Sequence, residues 1–496
     1  MKKVYLIILD GFGLGHHDKG DAIFHAKKPF LQKLFDTGNF AKLKTDGEAV
    51  GLPSFQMGGS EAGHLSIGSG RAVKQFLTKI NEDDFTKNEN LKKLFEKAKS
   101  REKIHFTGLI SDGGIHSFLP HLLDLLEMAK KYEIREIYIH AFTDGRDVGE
   151  HSAKKFITQI ETKNIGKIAS IGGRFYSMDR DNNWDRIKKS YDVLVGNAEV
   201  SENPAKLVIE KFYENSDKSD YYLPPTLLDK NGAIKEDDIV ISFNYRIDRM
   251  RQLWSAFCDK DFAEFTPEFR LNPENLGVFG TYYDDAVQIY KEEKGGVKNT
   301  LGEVISRENL EQLRISETEK YNHVTFYFSG GKKEEFAGED RILITSPKCA
   351  SYAEKPAMSA FEQTDAVLER LKEKDYSFVV QNFANSDLVG HSGNLAAATE
   401  AIEVLDKCLT KLVPKLLEKN YSVIITADHG NSDEMLYPNG EPCASHTKNL
   451  VPLWILENSR DFNLADKKGT LADIAPTVLK LLEIEKPVEM TGESLV

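Results

Sequence analysis

The chain has 496 residues, of which 40% are hydrophobic and 29% charged, and its formal net charge is −13. That balance excludes a disordered or fibrous chain, allows about two to four domains, and argues against nucleic acid or anionic membrane as a partner. Four cysteines, Cys258, Cys349, Cys408 and Cys443, show no CxxC spacing and make no disulfide framework.

The first element is an apolar run at 4–9, VYLIIL, which stops at Asp10. It is too short for an export signal, and no run approaches the roughly 18 apolar residues of a membrane span, so a soluble cytoplasmic protein is expected. Glycine-rich Gly51–Gly70 follows, then a Lys/Glu-rich stretch at 87–103 that reads as a solvated helix face. Next come a polar loop at Gly113–Ser117, an amphipathic helix at Pro120–Tyr132, and strands at 135–142 and 167–172. A second glycine-rich loop, Gly172–Asn183, precedes strands at 238–245 and 277–283. KEEKGGVKNT at 291–300 is the best linker candidate. Beyond it the pattern predicts strands at 323–328, 376–384 and 421–427 and helices at Ser359–Lys374, Leu395–Lys419 and Leu471–Leu482, with a polar loop at Gly430–Asn449. Strand–helix alternation with near-continuous apolar strands predicts an α/β fold with mostly parallel sheets buried on both faces.

Chemistry gathers where strands stop. IILDGFGLG offers only GxGxG, and an aspartate there would repel a pyrophosphate, so Asp10 reads as a metal-binding carboxylate rather than part of a dinucleotide loop. The bland alternative is a turn or helix-capping aspartate. Asp387 and His391, four apart in NFANSDLVGHSG, share a face if that turn is helical. Asp428 and His429 end the strand in VIITADHGN, and His446 follows in CASHTKN. One such histidine is ordinarily a hydrogen-bonded loop residue; three Asp/His sites at strand ends point to metal. Mixed carboxylate and imidazole ligands suit Mn²⁺, Zn²⁺ or Co²⁺ better than Ca²⁺. Cys443 reads as a small loop residue. Ser60, in FQMGGSEAGHLSIGSGR, is the nucleophile candidate; its GGSEAG setting misses the GxSxG elbow by one residue, which leaves metal activation.

In this order, LDGFG, QMGGSEAGHLSIGSGR, SDGGIHS, TDGRD, GGRFYSMDRDNNWDR, FNYRIDRMRQ, SETEKYNHVTFYFSGG and TADHGN closely resemble the motifs of the cofactor-independent phosphoglycerate mutases. These are metal-dependent relatives of alkaline phosphatase. The resemblance runs from Asp10 to about Pro452; Gly59 stands where that family usually has asparagine, and Ser386 where it has proline. It implies that Ser60 is the nucleophile and a ligand of one metal with Asp10, Asp428 and His429. Asp387, His391 and His446 would bind the other, with Mn²⁺ the expected ion. Three aspartates and a serine alkoxide carry four negative charges, which two divalent cations balance.

Arg146, Arg174, Arg180, Arg246 and Arg249 lie in glycine- or aspartate-rich loops, and five such arginines in an acidic chain suggest a pocket for a charged small molecule. The resemblance assigns His116, Arg146, Asp147, Arg174, Arg180, Arg246, Arg249 and Lys320 to the substrate, with Asp147 the proton carrier. The motif order places a phosphatase-like domain at 1–74 and 296–496, with a mostly parallel sheet and helices on both faces. An α/β transferase domain is inserted at 75–295, the active site is expected in the cleft between the two, and the linkers are natural hinges. The implied activity is interconversion of 2- and 3-phosphoglycerate through phosphoserine, in glycolysis and gluconeogenesis, by a monomer needing no bisphosphoglycerate primer. The alternatives are a metal-dependent phosphomonoester hydrolase of the same superfamily, a phosphopentomutase, and an inactive metal-binding scaffold.

Overall fold

Lys3–Leu9 is buried along almost its whole length, as a central strand must be, and the chain around it explains why. The computed structural model describes residues 2–291 and 296–496; positions 292–295, inside the linker candidate, lie outside the described residues. The chain divides into two compact units, Met1–Thr78 with Lys294–Val496, and Lys79–Glu293.

Among the described residues the first unit holds an eight-stranded sheet. Its order is Glu339–Ile344, Gln312–Glu317, Phe378–Phe383, Lys3–Leu9, Tyr421–Thr426, Val451–Leu456, Ala41–Lys44, Lys468–Thr470. Only Val451–Leu456 runs against the rest. Leu9 pairs with Phe383 and Ile8 with Thr426, so three neighbouring strands end level with one another. Helices Leu395–Glu418, Ala360–Glu373 and Ile474–Leu482 pack on these strands around one apolar core.

The second unit carries a seven-stranded sheet among its described residues, in the order Thr226–Leu227, Lys167–Gly173, Glu136–Thr143, Lys103–Ile110, Val240–Ser242, Leu276–Val278, Val287–Gln288. All but Thr226–Leu227 are parallel. The fold is α/β, with two parallel-rich sheets, as the alternation predicts. Among the described residues no helix is long and apolar enough to cross a membrane.

One predicted strand is wrong. HVTFYF at 323–328 is a π-helical turn, His323–Tyr327, in which Phe328 N–H donates to His323 O. Val324, Thr325, Phe328 and Ser329 are buried while Phe326 and Tyr327 are half-exposed, a helical rather than alternating pattern that six aromatic and β-branched residues cannot reveal. The strand of that region is Gln312–Glu317, overlooked because Gln312, Arg314, Ser316 and Glu317 are polar yet buried. Gly51–Gly70 is also not all loop, since Ser60–Ser69 is a buried helix.

Candidate metal centre and anion-binding residues

Asp10 follows the end of Lys3–Leu9, Asp428 lies two residues beyond Tyr421–Thr426, and Asp387 lies four beyond Phe378–Phe383. Carboxyl ends of adjacent parallel strands open onto one edge, where side chains from distant sequence positions converge. The chain must turn tightly to do this. Gly11 has φ +75°, and a Cβ there would come within 2.7 Å of the Asp387 backbone.

Two groups of side chains that could hold a metal result. Asp10, Asp428 and His429 form one, all buried; Asp387, His391 and His446 form the other, with His391 exposed. His391 Nε2 and His446 Nε2 lie 3.2 and 3.3 Å from Asp387 Oδ1 and 3.0 Å from each other. The helix Asn385–Gly390 supplies the turn that brings His391 back onto Asp387. In the other group His429 Nε2 is 3.3 Å from Asp10 Oδ1 and 3.5 Å from Asp428 Oδ2. Ser60 Oγ lies 3.1 Å from Asp10 Oδ1 and 2.9 Å from His429 Nε2. Cys443 belongs to neither group among the described residues.

The residues fit divalent cations on several grounds. Donors around a tetrahedral ion at about 2.0–2.1 Å stand roughly 3.3 Å apart, the separation found here. Both oxygens of fully buried Asp428 lack a hydrogen-bond partner. The ring Nδ1 atoms of His391, His446 and His429 donate to the carbonyls of Ala444, Gly58 and Gly430, which leaves each Nε2 lone pair facing the cluster. Burial alone would lower the His429 pKa, but Asp428 and Asp10 push it up to about 10. The carboxylates around this imidazole thus favour positive charge there, which a divalent cation would supply.

Lys320, which the resemblance assigns to the substrate, lies among the candidate metal ligands instead of beside the arginines. Its Nζ donates to Asp10 Oδ1 at 2.8 Å, Ser60 Oγ at 2.6 Å and Asp387 Oδ2 at 2.6 Å, so the ammonium bridges both groups and the serine. Burial would raise the pKa values of Asp10 and Asp387, yet Lys320 and the histidines hold both well below the carboxylate range. Ser60 opens its helix with Gly59 as a cap that offers no side-chain bond. Glycine costs only a few tenths of a kcal/mol against asparagine at that position. Ser386, the other departure, donates its hydroxyl to Asp10 O.

The inserted unit gathers the remaining candidates at the carboxyl ends of four adjacent strands. Arg174 Nη1 donates to Asp144 Oδ1 at 2.6 Å and to Asp147 Oδ2 at 2.5 Å. His116 Nε2 is 3.8 Å from Asp147 Oδ2, and its Nδ1 is 3.7 Å from Asp248 Oδ1. Asp248 also pairs with Arg180 at 2.6 Å and Arg246 at 3.4 Å. Arg249 donates to Met178 O, while Arg146 is exposed over the Tyr221 ring. Arg174 belongs to a short helix, Arg174–Ser177, not to a loop. Burial and the neighbouring arginines, Arg174 first, push the His116 pKa down to about 3, so it is neutral at physiological pH.

Sequence reasoning missed Asp144 and Asp248, which organise these arginines; their only signal was a place beside arginine in TDGRD and RIDR. Asn431, whose Nδ2 donates to Asp387 Oδ1, stands in TADHGN but was given no role, and Asn382, whose Nδ2 donates to Asp10 Oδ2, gave no signal.

Comparison with known proteins agrees with this chemistry. The model of the metalloenzyme superfamily matches residues 2–486. A 2,3-bisphosphoglycerate-independent phosphoglycerate mutase of Clostridium beijerinckii is 46% identical over 514 residues, spanning 100% of this chain and 99% of the relative. One from Moorella thermoacetica is 46% identical over 511 residues, spanning 100% and 98%. A crystal structure of Leishmania mexicana phosphoglycerate mutase at low cobalt concentration superposes with a TM-score of 0.70 at 30% identity, covering 99% of this chain and 97% of that one.

Proposed function

Since the chain belongs to the 2,3-bisphosphoglycerate-independent phosphoglycerate mutases of the metalloenzyme superfamily, we propose that it works through a phosphoserine at Ser60 beside two divalent cations. The protein interconverts 2- and 3-phosphoglycerate, the step shared by glycolysis and gluconeogenesis. One observation carries the phosphoserine reading. Ser60 Oγ, at a helix N-terminus, lies within 3.1 Å of Asp10, His429 and Lys320 at once. The free N–H groups of the first turn favour the charge a phosphoryl group brings.

Asp10, Ser60, Asp428 and His429 would hold one cation and Asp387, His391 and His446 the other. When bound, they would lower the serine pKa and neutralise charge on the phosphoryl oxygens. Mn²⁺ suits this donor set better than Mg²⁺, which disfavours imidazole. Lys320 adds one positive charge to a centre that two cations otherwise balance, and it can follow the phosphoryl group onto and off Ser60.

In the forward half, Ser60 Oγ, entering as the alkoxide already counted in the charge balance, bonds to phosphorus as the bond to the glycerate 3-oxygen breaks, and that oxygen takes a proton. In the return half the 2-hydroxyl gives up a proton and bonds to phosphorus as the bond to Ser60 breaks, which releases Ser60 as the alkoxide again. Asp147 is the carrier assigned to this proton, held by Arg174 and facing neutral His116. Arg180, Arg246 and Arg249 retain the glycerate carboxylate between the halves, with His116 and Arg146 completing the set. Net transfer is internal, so no bisphosphoglycerate primer is needed, and the protein acts as a cytoplasmic monomer on a small substrate.

The test follows 3-phosphoglycerate, 2-phosphoglycerate and free phosphate together. The chelated protein should be inactive and regain activity with Mn²⁺. Ser60→Ala should lose transfer by many orders of magnitude, not the roughly tenfold of a positioning residue. Substantial mutase activity in Ser60→Ala would remove the phosphoserine, and phosphate as main product would favour the hydrolase.

A further inference from the structure

His64 lies one turn after Ser60 and is fully buried, yet it belongs to neither ligand group. Its Nδ1 is 2.9 Å from Ser60 O and 3.2 Å from Asp428 Oδ2. Its Nε2 is 3.0 Å from Nδ2 of Asn382, a fully buried residue near the end of Phe378–Phe383. The same Asn382 Nδ2 donates to Asp10 Oδ2 at 2.7 Å.

These contacts determine where the hydrogens are. An amide nitrogen only donates, and its two hydrogens are taken up by Asp10 and by His64 Nε2. Turning the amide over would set its oxygen 2.7 Å from the Asp10 carboxylate, oxygen against oxygen, so the orientation stands. His64 Nε2 is therefore a bare acceptor, and the ring hydrogen sits on Nδ1, directed at the Ser60 carbonyl and beside the Asp428 carboxylate. That carboxylate has no hydrogen-bond partner of its own. The approach is close because residue 63 is glycine; a Cβ there would lie 3.0 Å from Asp428 Cβ and O.

We propose that Asn382 and His64 form a positioning pair that orients Asp10 and the Ser60 backbone, and sets the His64 ring edge beside Asp428, for one cation of the centre and not for the other. Neither side chain touches Asp387, His391 or His446 among the hydrogen bonds and ion pairs of the described residues. The asymmetry is the substance of the inference, which rests on the two-cation reading above. Losing a partner of this kind typically weakens metal binding roughly ten- to hundredfold.

The test titrates metal-free protein with Mn²⁺ by calorimetry and electron paramagnetic resonance, counting sites and their affinities. Wild type should bind two ions. His64→Gln, which places its amide at the Nε2 position, should weaken one site roughly ten- to hundredfold and leave the other. His64→Asn, which places an amide N–H where Nδ1–H was, should keep that site closer to wild type than His64→Gln does, and Asn382→Leu, which removes the donor to Asp10 Oδ2, should weaken the same site. Nitrogen-15 histidine spectra of the unsubstituted metal-free protein should show His64 protonated at Nδ1 and bare at Nε2, a readout that does not depend on a variant folding. Equal weakening of both sites, no weakening in folded His64→Gln, or an Nε2–H tautomer would each overturn the pair. A wild type that binds no Mn²⁺ would overturn the two-cation reading and this inference together.

Discussion

Arg174→Met isolates the electrostatic core of the inserted unit. The Arg174 side chain is 1% exposed and pairs with Asp144, which is 0% exposed, and with Asp147. Asp144 also accepts Ser111 Oγ–H and the backbone N–H groups of Arg146 and Asp147, which hold its charge in place. Methionine fills the volume but leaves that carboxylate buried without a cation, a change that destabilises by about 3–5 kcal/mol. With a urea slope of about 2 kcal/mol per molar, the midpoint should fall by roughly 1.5–2.5 M. Trp184 and Trp254 report this unit, so the melt is followed by fluorescence in a Trp454→Phe background. Adding Asp144→Asn to Arg174→Met should recover part of the loss, because the stranded charge is then gone. Exposed Arg146→Met should shift stability by no more than about 0.5 kcal/mol. An Arg174→Met midpoint within about 0.3 M of its parent, or a double variant no better than the single, would refute the argument, since the expected slope makes 0.3 M well under 1 kcal/mol.

Burial pushes the His121 pKa down to about 3, and its Nε2–H donates to Asn81. Such a histidine stabilises the native state only while neutral, so its contribution is complete above about pH 6.5 and fades toward pH 3, by about 1.4 kcal/mol per pH unit. His121→Gln should reduce the acid slope of unfolding by one proton; an unchanged slope would refute this. Glu317 has the opposite sign. Burial pushes its pKa up to about 7, so its contribution is complete below about pH 4.5 and is lost as the pH rises through 7. Glu317→Gln should therefore melt higher than wild type at pH 8, by up to about 3 kcal/mol, and match it near pH 4.5. Arg249→Ala should lower mutase rate steeply and raise the share of turnovers released as free phosphate. A pure rate loss with no added phosphate would remove Arg249 from the retention of glycerate.

What could be read from the chain follows from where each side chain gets its meaning. Asp428 and His429 are legible because a continuous apolar strand runs straight into them, and His391 because four residues on a helical turn return to Asp387. Asn382 carries as much consequence for Asp10, but it lies inside an apolar strand, where its neighbours describe the core and say nothing of the site. The strand Gln312–Glu317 was hidden for a related reason. Buried Arg314 lies over the Phe328 and Phe378 rings and donates to Gln312, so a charged residue does the work of an apolar one. Hydrophobic patterning assumes that burial excludes charge, and it fails where rings and amides solvate the charge instead. Lys320 extends the point. The turn that carries it follows that hidden strand, so locating the strand and locating the lysine were one problem. Its ammonium is stable in a buried position only because Asp10 and Asp387 meet it there, and those carboxylates lie 310 and 67 residues away. No window of sequence contains that balance of charge; only the level ends of neighbouring parallel strands create it.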